Sequence, residues 1–270
     1  MDVAGKTVWI TGASSGIGAA LATACARAGA KLVLSGRRAD ALAEVAGRCQ
    51  AQTLVLPFET TDLDALPGIV AQAEGWSGGI DILVNNAGIS QRSLARDTSF
   101  DVYRNIMEVD YFAPLRLTQL VLPGMRARGS GAFVAISSLA GKFGSPLRTG
   151  YCSAKFALIG YFDALRAETA HEGIEVFVVT PGFVKTSIAA NALTADGSVR
   201  GRSDDNIEAG ITADEAAQQI LDGMAAGRRE IPVGRGPEMA ILDLLRADPD
   251  KIFDMMAAQG KTIATAEKLP

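Results

Sequence analysis

The chain has 270 residues, of which 48% are hydrophobic, and a net charge of −4. This length suits one large α/β domain, which we predict to span residues 1–270. The slightly acidic balance and the scattered basic residues argue against nucleic acid or an acidic membrane surface as a partner. The first residues have the pattern of neither a secretory signal nor a membrane span, so we expect a cytoplasmic protein.

The three cysteines also favour a cytoplasmic protein. Cys25, Cys49 and Cys152 are odd in number and have no paired spacing, which is typical of a reducing compartment and predicts no metal site. Cys152 stands beside Tyr151, where it is either a small packing residue or a reactive thiol. We favour the packing role.

Short apolar runs alternate with helical patterns from the first residues onward. Near-continuous apolarity is what parallel strands require when helices cover both faces of their sheet. The repeated strand and helix order predicts an α/β Rossmann-type fold, a doubly wound parallel sheet of about seven strands. The predicted strands cover residues 6–11, 31–35, 52–56, 80–84, 132–137 and 174–180, with a seventh near 231–233.

Helix boundaries are marked by glycine and by short polar residues. Thr98 with Asp101, and Thr212 with Glu215, have the spacing of capping boxes that begin helices. Glycine is the usual residue where a chain leaves a helix and turns back into a strand. The glycines predicted to end helices are Gly29, Gly129 and Gly173.

Three segments depart from the regular alternation. Pro114 falls within a long helical pattern over residues 99–128, which it should kink or divide. Residues 185–212 are polar, and we predict a mobile substrate lid there because a loop of this length is often functional. Residues 237–270 form an apolar helical appendix that either covers the functional site or packs on a partner.

A glycine-rich turn directly follows the first predicted strand. It reads Thr-Gly-Ala-Ser-Ser-Gly-Ile-Gly over residues 11–18 and leads into a helical pattern from Ala19. Glycines there allow a tight turn and let the backbone approach a pyrophosphate, which the helix N-terminus attracts. The placement between strand and helix predicts a dinucleotide site. The predicted binding residues are Gly12, Ser14, Ser15, Gly16, Ile17 and Gly18.

Two arginines follow the second strand, where an NAD-binding protein would place an acid for the ribose hydroxyl. Arg37 and Arg38 repel each other and oppose the dipole of the next helix, so an anion between them is favoured. The 2′-phosphate of NADP is such an anion, and we therefore predict NADP(H) in preference to NAD(H). The alternative is two solvated surface arginines. Glu59, after the third strand, could accept a hydrogen bond from the adenine amino group.

Tyr151 and Lys155 stand at i and i+4 of a helical pattern over residues 149–171, so they share one face. An ammonium beside a phenol stabilises the phenolate, which lets the hydroxyl act as an acid or base near neutral pH. Residues 85–88, Asn-Asn-Ala-Gly, follow the fourth strand at the edge where ligands bind in such sheets. These asparagines either line the ligand or tie loops together, and both roles can hold at once.

The motifs, in this order, resemble those of the classical short-chain dehydrogenases/reductases over most of the chain. The resemblance rests on the glycine turn, Asn-Asn-Ala-Gly at 85–88, Ser138 with Tyr151 and Lys155, and Pro-Gly at 181–182. Within the family, the runs at 32–37, 90–94, 97–104 and 151–155 look like the branch that contains dehydrogenase/reductase member seven. Members of that branch are associated with lipophilic carbonyls.

The resemblance implies roles for individual residues. Tyr151 would exchange a proton with the carbonyl or alcohol oxygen, Ser138 would hold that oxygen, and Lys155 would act on the tyrosine and on the nicotinamide ribose. Ser137 is the rival serine, but the family's serine-to-tyrosine interval favours Ser138. The cofactor contacts implied further along the chain are Asn86, Ala87, Gly88, Tyr151, Lys155, Pro181, Gly182, Val184 and Thr186.

The chain departs from the family pattern at Asp110, where the family usually has an asparagine that helps hold a water bonded to the catalytic lysine. An aspartate can accept from that water but cannot donate, and its charge opposes the effect of Lys155 on Tyr151. We therefore predict a working proton relay with a higher optimum pH, in which Asp110 takes part. Alternatively, Asp110 turns away toward Arg104 or Arg116.

Together these features predict an NADP(H)-dependent oxidoreductase that interconverts a carbonyl and a primary or secondary alcohol on a small to medium, hydrophobic substrate. An NAD-linked alcohol dehydrogenase and a non-catalytic dinucleotide-binding redox sensor are the alternatives. The resemblance also implies a homodimer or homotetramer that assembles through the helical patterns at 99–128 and 149–171. The predicted substrate wall is Ile89, Phe143, Leu147, Phe183 and Ile188, with Arg92 and Arg148 as cations at its rim.

Overall fold

The computed structural model describes residues 1–266, and the four residues after them, which belong to the predicted appendix, lie outside the described part. Its centre is a seven-stranded, wholly parallel sheet in the order β3-β2-β1-β4-β5-β6-β7. The Rossmann-type sheet predicted from the sequence is therefore confirmed, with strand bounds that differ by at most two residues. The strands are β1 Thr7–Thr11, β2 Lys31–Ser35, β3 Thr53–Val55, β4 Ile82–Asn85, β5 Gly131–Ile136, β6 Ile174–Pro181 and β7 Glu230–Val233.

Helices cover both faces of this sheet and form two hydrophobic layers. Successive strand side chains point to opposite faces, so Ile10 packs into one layer and Trp9 into the other. The helices are α1 Gly16–Arg27, α2 Ala39–Arg48, α3 Leu66–Ser77, α4 Phe100–Met107, α5 Ala113–Arg128, α6 Thr149–Thr169, α7 Asp205–Glu208, α8 Ala213–Ala225, α9 Ile241–Ala247 and α10 Pro249–Ala266. Over residues 1–266, we find no helix with both the length and the apolar character that a membrane crossing requires.

Helix ends follow the sequence signals at most positions. Gly29, Gly129 and Gly173 adopt φ of 87°, 61° and 74°, the left-handed backbone that lets the chain leave a helix. Thr212 and Glu215 form the predicted capping box: the Thr212 hydroxyl accepts from the Glu215 N–H at 3.1 Å, and the Glu215 carboxylate accepts from the Thr212 N–H at 2.7 Å.

The capping box predicted for Thr98 and Asp101 is wrong. Helix α4 begins one residue later than that box requires, with Ser99 before its first residue. The Thr98 hydroxyl instead donates to the Leu94 carbonyl at 2.7 Å and accepts from Gln91 Nε2 at 3.0 Å. The hydroxyl therefore closes a loop and is not available to cap the helix.

The long helical pattern over residues 99–128 is divided, as predicted. A π-helical turn, Glu108–Phe112, separates α4 from α5, and Pro114 lies in the first turn of α5. Proline has no N–H to donate, and the Ala113 N–H just before it makes the i→i−5 bond of the π turn, to the Glu108 carbonyl. The division places Asp110 in the middle of the π turn, where its side chain is fully buried.

The polar segment over residues 185–212 carries local structure of its own. Leu193 pairs with Gln91 and with Val199 through isolated β-bridges, and Ile211 pairs with Val184. The short helix α7 lies within the segment. Its mobility remains a prediction, whereas its position over the carboxyl ends of the strands follows from these contacts.

Candidate active site

One cavity of about 820 Å³ lies at the carboxyl ends of the strands. The strand order reverses between β1 and β4, and the loops that follow these two strands both line the cavity. Open α/β sheets bind ligands at this switch point, because the loops on either side diverge and leave a crevice. The motifs predicted from the sequence therefore converge on one crevice.

The glycine turn forms one end of the cavity. Helix α1 begins at Gly16, three residues earlier than predicted, so its first turn is the uncharged run that contains Gly18. Gly12 and Gly16 have φ of 65° and 56°, which favour glycine. A Cβ on Gly18 would lie 2.5 Å from the Gly12 carbonyl oxygen and from Asn86 Nδ2. Gly18 thus packs behind the cavity wall, whereas Gly12, Ser14, Ser15, Gly16 and Ile17 line it.

Asn86 ties this turn to the loop after β4. Its Nδ2 donates to the Thr11 carbonyl at 2.9 Å, and its backbone N–H donates to the Thr11 hydroxyl at 3.0 Å. The same hydroxyl accepts from the Ala87 N–H at 3.1 Å. Asn86, Ala87 and Gly88 also line the cavity, so the asparagine motif both connects the loops and faces the crevice.

Arg37 and Arg38 lie at the same end, together with Glu59. Arg38 stands at the N-cap of α2, and its Nη2 donates to Ser14 Oγ at 3.3 Å. Arg37 Nη1 is 3.8 Å from Glu59 Oε2, and both side chains are largely exposed. An exposed pair at this distance holds its arginine weakly, so the guanidinium is able to turn toward an anion in the cavity.

Ser138, Tyr151 and Lys155 meet on one wall of the cavity. Helix α6 presents Tyr151 and Lys155 one turn apart, with Lys155 Nζ 5.6 Å from the centre of the Tyr151 ring. Lys155 Nζ also donates to the Ile136 carbonyl at 3.2 Å, which fixes the ammonium behind the tyrosine. A phenol beside a held ammonium is a group that can exchange protons with a bound oxygen.

The structure separates the two candidate serines. The Ser137 hydroxyl donates to the Lys155 carbonyl at 3.1 Å, so it joins β5 to α6. The Ser138 hydroxyl accepts from the Ala140 N–H at 3.1 Å, which leaves its own proton available for an oxygen in the cavity. This geometry favours Ser138 over Ser137 as the serine that holds a substrate oxygen.

Asp110 faces Lys155, so the alternative in which it turns toward Arg104 or Arg116 is wrong. Its Oδ2 lies 3.1 Å from Lys155 Nζ, and its Oδ1 accepts from the Ile89 N–H at 2.8 Å. Both charged groups are almost completely buried. Gly88 lies against the pair, because a Cβ there would be 3.3 Å from both Asp110 Oδ2 and Lys155 Nζ.

Burial and mutual attraction act on this pair in opposite directions. Burial raises the pKa of Asp110, and the nearby Lys155 charge only partly offsets that effect. Burial alone would lower the pKa of Lys155, but the Asp110 carboxylate and the Tyr151 phenol outweigh it and hold that pKa above its ordinary value. Lys155 therefore stays protonated at neutral pH, next to an acid that partly cancels its field.

Four of the five predicted substrate-wall residues line the cavity: Ile89, Phe143, Phe183 and Ile188. Leu147 is placed outside the wall. Its backbone is left-handed, with φ of 66°, and its carbonyl accepts from the Ser93 N–H at 3.1 Å. The neighbouring Arg148, and not Leu147, lines the cavity.

Pro181, Gly182, Val184 and Thr186 complete the wall along the loop after β6. The appendix contributes as well, because Met256 and Gln259 of α10 line the cavity. Glu238 and Ile241, nearer the start of the predicted appendix, line the cavity too. Cys152 is buried, and burial raises the pKa of its thiol, which fits a packing role.

The cavity wall also contains polar residues that were not predicted from the sequence: Asn105, Ser145, Asn191 and Asn206.

The wall suits a nicotinamide dinucleotide. The uncharged first turn of α1 points unpaired backbone N–H groups toward the cavity, as a pyrophosphate requires. Ser14, Ser15 and Thr186 add hydroxyl groups to the wall, and Lys155 lines it beside Tyr151. Backbone N–H groups, hydroxyls and an ammonium are donors that suit the phosphates and the ribose hydroxyls of a dinucleotide.

Comparisons with known proteins agree with this geometry. Residues 6–197 match the family model described as short chain dehydrogenase. The mouse protein named dehydrogenase/reductase SDR family member 7B is 40% identical over 94% of this chain and 81% of its own length. The Drosophila melanogaster protein named dehydrogenase/reductase SDR family protein 7-like is 36% identical over 98% of this chain and 83% of its own length.

Solved structures share the fold. A short-chain dehydrogenase from Streptomyces avermitilis superposes with a TM-score of 0.79 at 28% identity, over 98% of this chain and 99% of that one. A Burkholderia phymatum short chain dehydrogenase/reductase in complex with NAD gives 0.82 at 22% identity, covering 94% and 96%. A Burkholderia cenocepacia short chain dehydrogenase in complex with NADP gives 0.79 at 24%, covering 95% and 99%. The chain therefore belongs to the short-chain dehydrogenase/reductase family of NAD(P)-dependent oxidoreductases, and its relatives include proteins of the member seven branch that the sequence motifs indicated.

Proposed function

We propose that this protein is an NADP(H)-dependent oxidoreductase that interconverts a carbonyl and a primary or secondary alcohol. The observation that carries the proposal is the meeting of Ser138, Tyr151 and Lys155 on the wall of a cavity that begins at the glycine turn. The partly apolar wall of Ile89, Phe143, Phe183 and Ile188 supports a small to medium substrate with a hydrophobic part.

In this proposal, each of the three residues has one task. The Ser138 hydroxyl donates to the substrate oxygen and fixes its position. Tyr151 gives that oxygen a proton during reduction and takes one during oxidation. Lys155 holds a positive charge behind the phenol and presents its ammonium to the cofactor ribose. NADP(H), when bound, supplies or accepts the hydride.

Arg37 and Arg38 support the preference for NADP(H). Both line the cavity at the end where the glycine turn would hold the pyrophosphate, and Arg37 has only a long contact with Glu59. The structural neighbours named above were solved with NAD in one case and NADP in another, so they leave the choice to these residues. An NAD-linked enzyme remains the alternative within the same reaction class.

Cofactor preference is tested by Arg37→Ala, with Arg27→Ala as the matched control on exposed surface outside the cavity. Loss of one charge-assisted contact to the 2′-phosphate should weaken NADP binding by about tenfold. NAD affinity should stay the same in both variants. Fluorescence titration with each dinucleotide measures this, and unchanged NADP affinity in Arg37→Ala would refute the assignment.

The reaction is tested with a panel of carbonyl compounds and NADPH, followed by loss of the nicotinamide absorbance. Tyr151→Phe keeps the ring and removes the hydroxyl, so it should abolish turnover while dinucleotide binding persists. A non-catalytic redox sensor would bind the dinucleotide and turn over none of the carbonyls in the wild-type form. That outcome would favour the sensor, because a sensor requires no proton donor beside the nicotinamide.

The segment over residues 185–212 is proposed as a substrate lid, and residues 237–270 as an appendix that covers the site. The contacts of Met256 and Gln259 with the cavity support the second assignment. Limited proteolysis with and without NADPH tests the first, because a lid that closes over ligands should become protected from cleavage.

A further inference from the structure

Two arginines lie in the substrate end of the cavity wall, away from the pair at Arg37 and Arg38. Arg92 lies in the loop between β4 and α4, and Arg148 directly precedes α6, three residues before Tyr151. Their side chains are only 6% and 22% exposed, respectively. Arginine is rarely buried to this extent without an anionic partner, because removing its charge from water is costly.

A single carboxylate serves this cluster. Asp204 Oδ2 accepts from Arg92 Nε at 2.8 Å and from Arg92 Nη2 at 2.7 Å, and it lies 3.4 Å from Arg148 Nη2. Asp204 Oδ1 accepts from Arg200 Nη1. Burial alone would raise the pKa of Asp204, but the hydrogen bonds from Arg92 and Arg200 outweigh it and hold the pKa below its ordinary value. One ionised carboxylate therefore faces three guanidinium groups.

The two wall arginines differ in how far their donors are used. Arg92 gives its Nε and Nη2 to Asp204 and its Nη1 to Ser90 Oγ and the Gln91 carbonyl. Arg148 donates to Ser145 Oγ at 2.9 Å and makes only the long contact to Asp204. A guanidinium has five N–H donors, so within residues 1–266 most of those of Arg148 stay free for a ligand.

The remaining charge favours an anion at Arg148. Burial lowers the pKa of Arg148, the neighbouring Arg92 charge lowers it further, and the Asp204 carboxylate acts in the opposite direction. Asp204 is paired with Arg92, Arg148 and Arg200 at once, so one negative charge faces three positive ones. An anionic ligand would relieve this repulsion, and the planar guanidinium matches the oxygens of a carboxylate or phosphate.

We infer that the substrate carries an anionic group, a carboxylate or a phosphate monoester, which binds Arg148 beside Arg92. The inference rests on the proposed function, because it takes the reacting carbonyl to lie at Ser138 and Tyr151. Arg148 is the N-cap of α6 and precedes Tyr151 by three residues, and both side chains line the same cavity. We therefore expect the anionic group and the carbonyl to belong to one small molecule.

The test compares carbonyl compounds in matched pairs. Levulinate and methyl levulinate differ by one carboxylate charge, and hydroxyacetone phosphate and hydroxyacetone differ by one phosphate. In at least one pair, the wild-type kcat/KM for the charged member should exceed that for the neutral member by about 10- to 100-fold, because charge-assisted hydrogen bonds form only with the charged one. The pair with the larger ratio identifies whether carboxylate or phosphate is preferred.

Arg148→Gln should remove most of this ratio, because the loss of a positive charge weakens binding of the charged member far more than binding of the neutral one. Arg200→Gln is the matched control. It also removes one guanidinium from Asp204, but Arg200 lies outside the cavity wall, so the ratio should persist. Equal losses in both variants would mean that the cluster only holds the segment over residues 185–212, which would overturn the inference.

Binding decides the inference separately from turnover. Calorimetric titration of both members of each pair into the Tyr151→Phe protein, saturated with NADP⁺, measures the affinity for the anionic group without reaction. If the charged compounds bind to the Tyr151→Phe protein but not to the Tyr151→Phe, Arg148→Gln double variant, the anion site is supported. This holds even if the wild type reduces no carbonyl, and in that case only the proposed function fails. Equal affinity for charged and neutral members of both pairs would refute the anion site.

Discussion

Asp110→Asn tests how the charge behind Lys155 sets the working pH. The change removes the charge and keeps the size of a side chain that is fully buried. Asp110 Oδ2 is 3.1 Å from Lys155 Nζ, which in turn is 5.6 Å from the centre of the Tyr151 ring. The carboxylate therefore lies within about 9 Å of the phenol ring, near enough for its charge to oppose formation of the phenolate.

The magnitude follows from Coulomb's law. At about 9 Å and an effective dielectric near 20, one unit charge changes the free energy of the phenolate by about 2 kcal/mol. Since about 1.4 kcal/mol corresponds to one pH unit, the acid limb of alcohol oxidation should move down by about one unit. Oxidation needs Tyr151 as a base, and without Asp110 the Lys155 charge stabilises the phenolate alone. Lys155 also loses the neighbour that raises its pKa, so the alkaline limb should move down too.

The assay is kcat/KM for alcohol oxidation against pH, with an alcohol identified by the carbonyl panel. Asp101→Asn is the control, because it removes the same charge from an exposed position in the first turn of α4. The near-ultraviolet absorbance of tyrosinate gives a second measurement. The difference between each protein and its Tyr151→Phe version reports the ionisation of Tyr151 with no substrate present.

The reasoning would be refuted by a well-folded Asp110→Asn protein whose pH profile coincides with that of the wild type or moves upward. Circular dichroism on heating shows whether the fold is kept, which matters because the change leaves Lys155 buried without its partner. A downward shift in Asp101→Asn of the same size would also count against the argument, since it would reflect net charge and not the buried pair.

Other predictions concern packing and assembly. Gly18→Ala should weaken dinucleotide binding at least tenfold, because the new Cβ would lie 2.5 Å from neighbouring atoms. At Gly47, on the exposed side of α2, a Cβ meets nothing within 4 Å, so Gly47→Ala should raise the free energy of unfolding by about 0.5–1 kcal/mol. Thr212→Ala should lower that free energy by about 1 kcal/mol, measured by denaturant unfolding, through loss of the capping box. If the predicted homodimer or homotetramer forms through α5 and α6, Phe112→Glu with Phe156→Glu should yield monomers in light scattering, since these rings are 42% and 44% exposed. An unchanged mass would place the interface elsewhere.

The features that could be predicted depend on near neighbours in the sequence. Buried parallel strands appear as apolar runs, and the glycine turn follows the first of them within one residue. The capping box at Thr212 needs only Glu215 three residues later, and Tyr151 with Lys155 needs only one helical turn. Each of these patterns expresses a local geometric requirement, so the sequence contains it directly.

The features that could not be predicted depend on contacts between distant segments. Arg92 and Asp204 are 112 residues apart in the chain, yet they form the most buried arginine pair of the site. Thr98 has the spacing of a capping residue, but the Gln91 side chain and the Leu94 carbonyl compete for its hydroxyl. Leu147 has the character of a wall residue, but it adopts a left-handed backbone with φ of 66° and does not line the cavity.

The position of Asp110 depends both on the local sequence and on a contact with a distant segment. Val102, Ile106 and Asp110 are buried at intervals of four residues, which exceeds the 3.6 residues of an α-helical turn, so a regular helix would rotate Asp110 progressively away from the core. The wider π-helical turn at Glu108–Phe112 absorbs that excess and keeps the aspartate pointing inward. Pro114 cannot donate the backbone hydrogen bond of a regular helical residue, which favours a change in the helix near this place. The proline therefore indicates, from the sequence alone, that the helix changes near Asp110. The partner of Asp110 depends on the packing of the π turn against α6, which brings its carboxylate to Lys155 and not to Arg104 or Arg116.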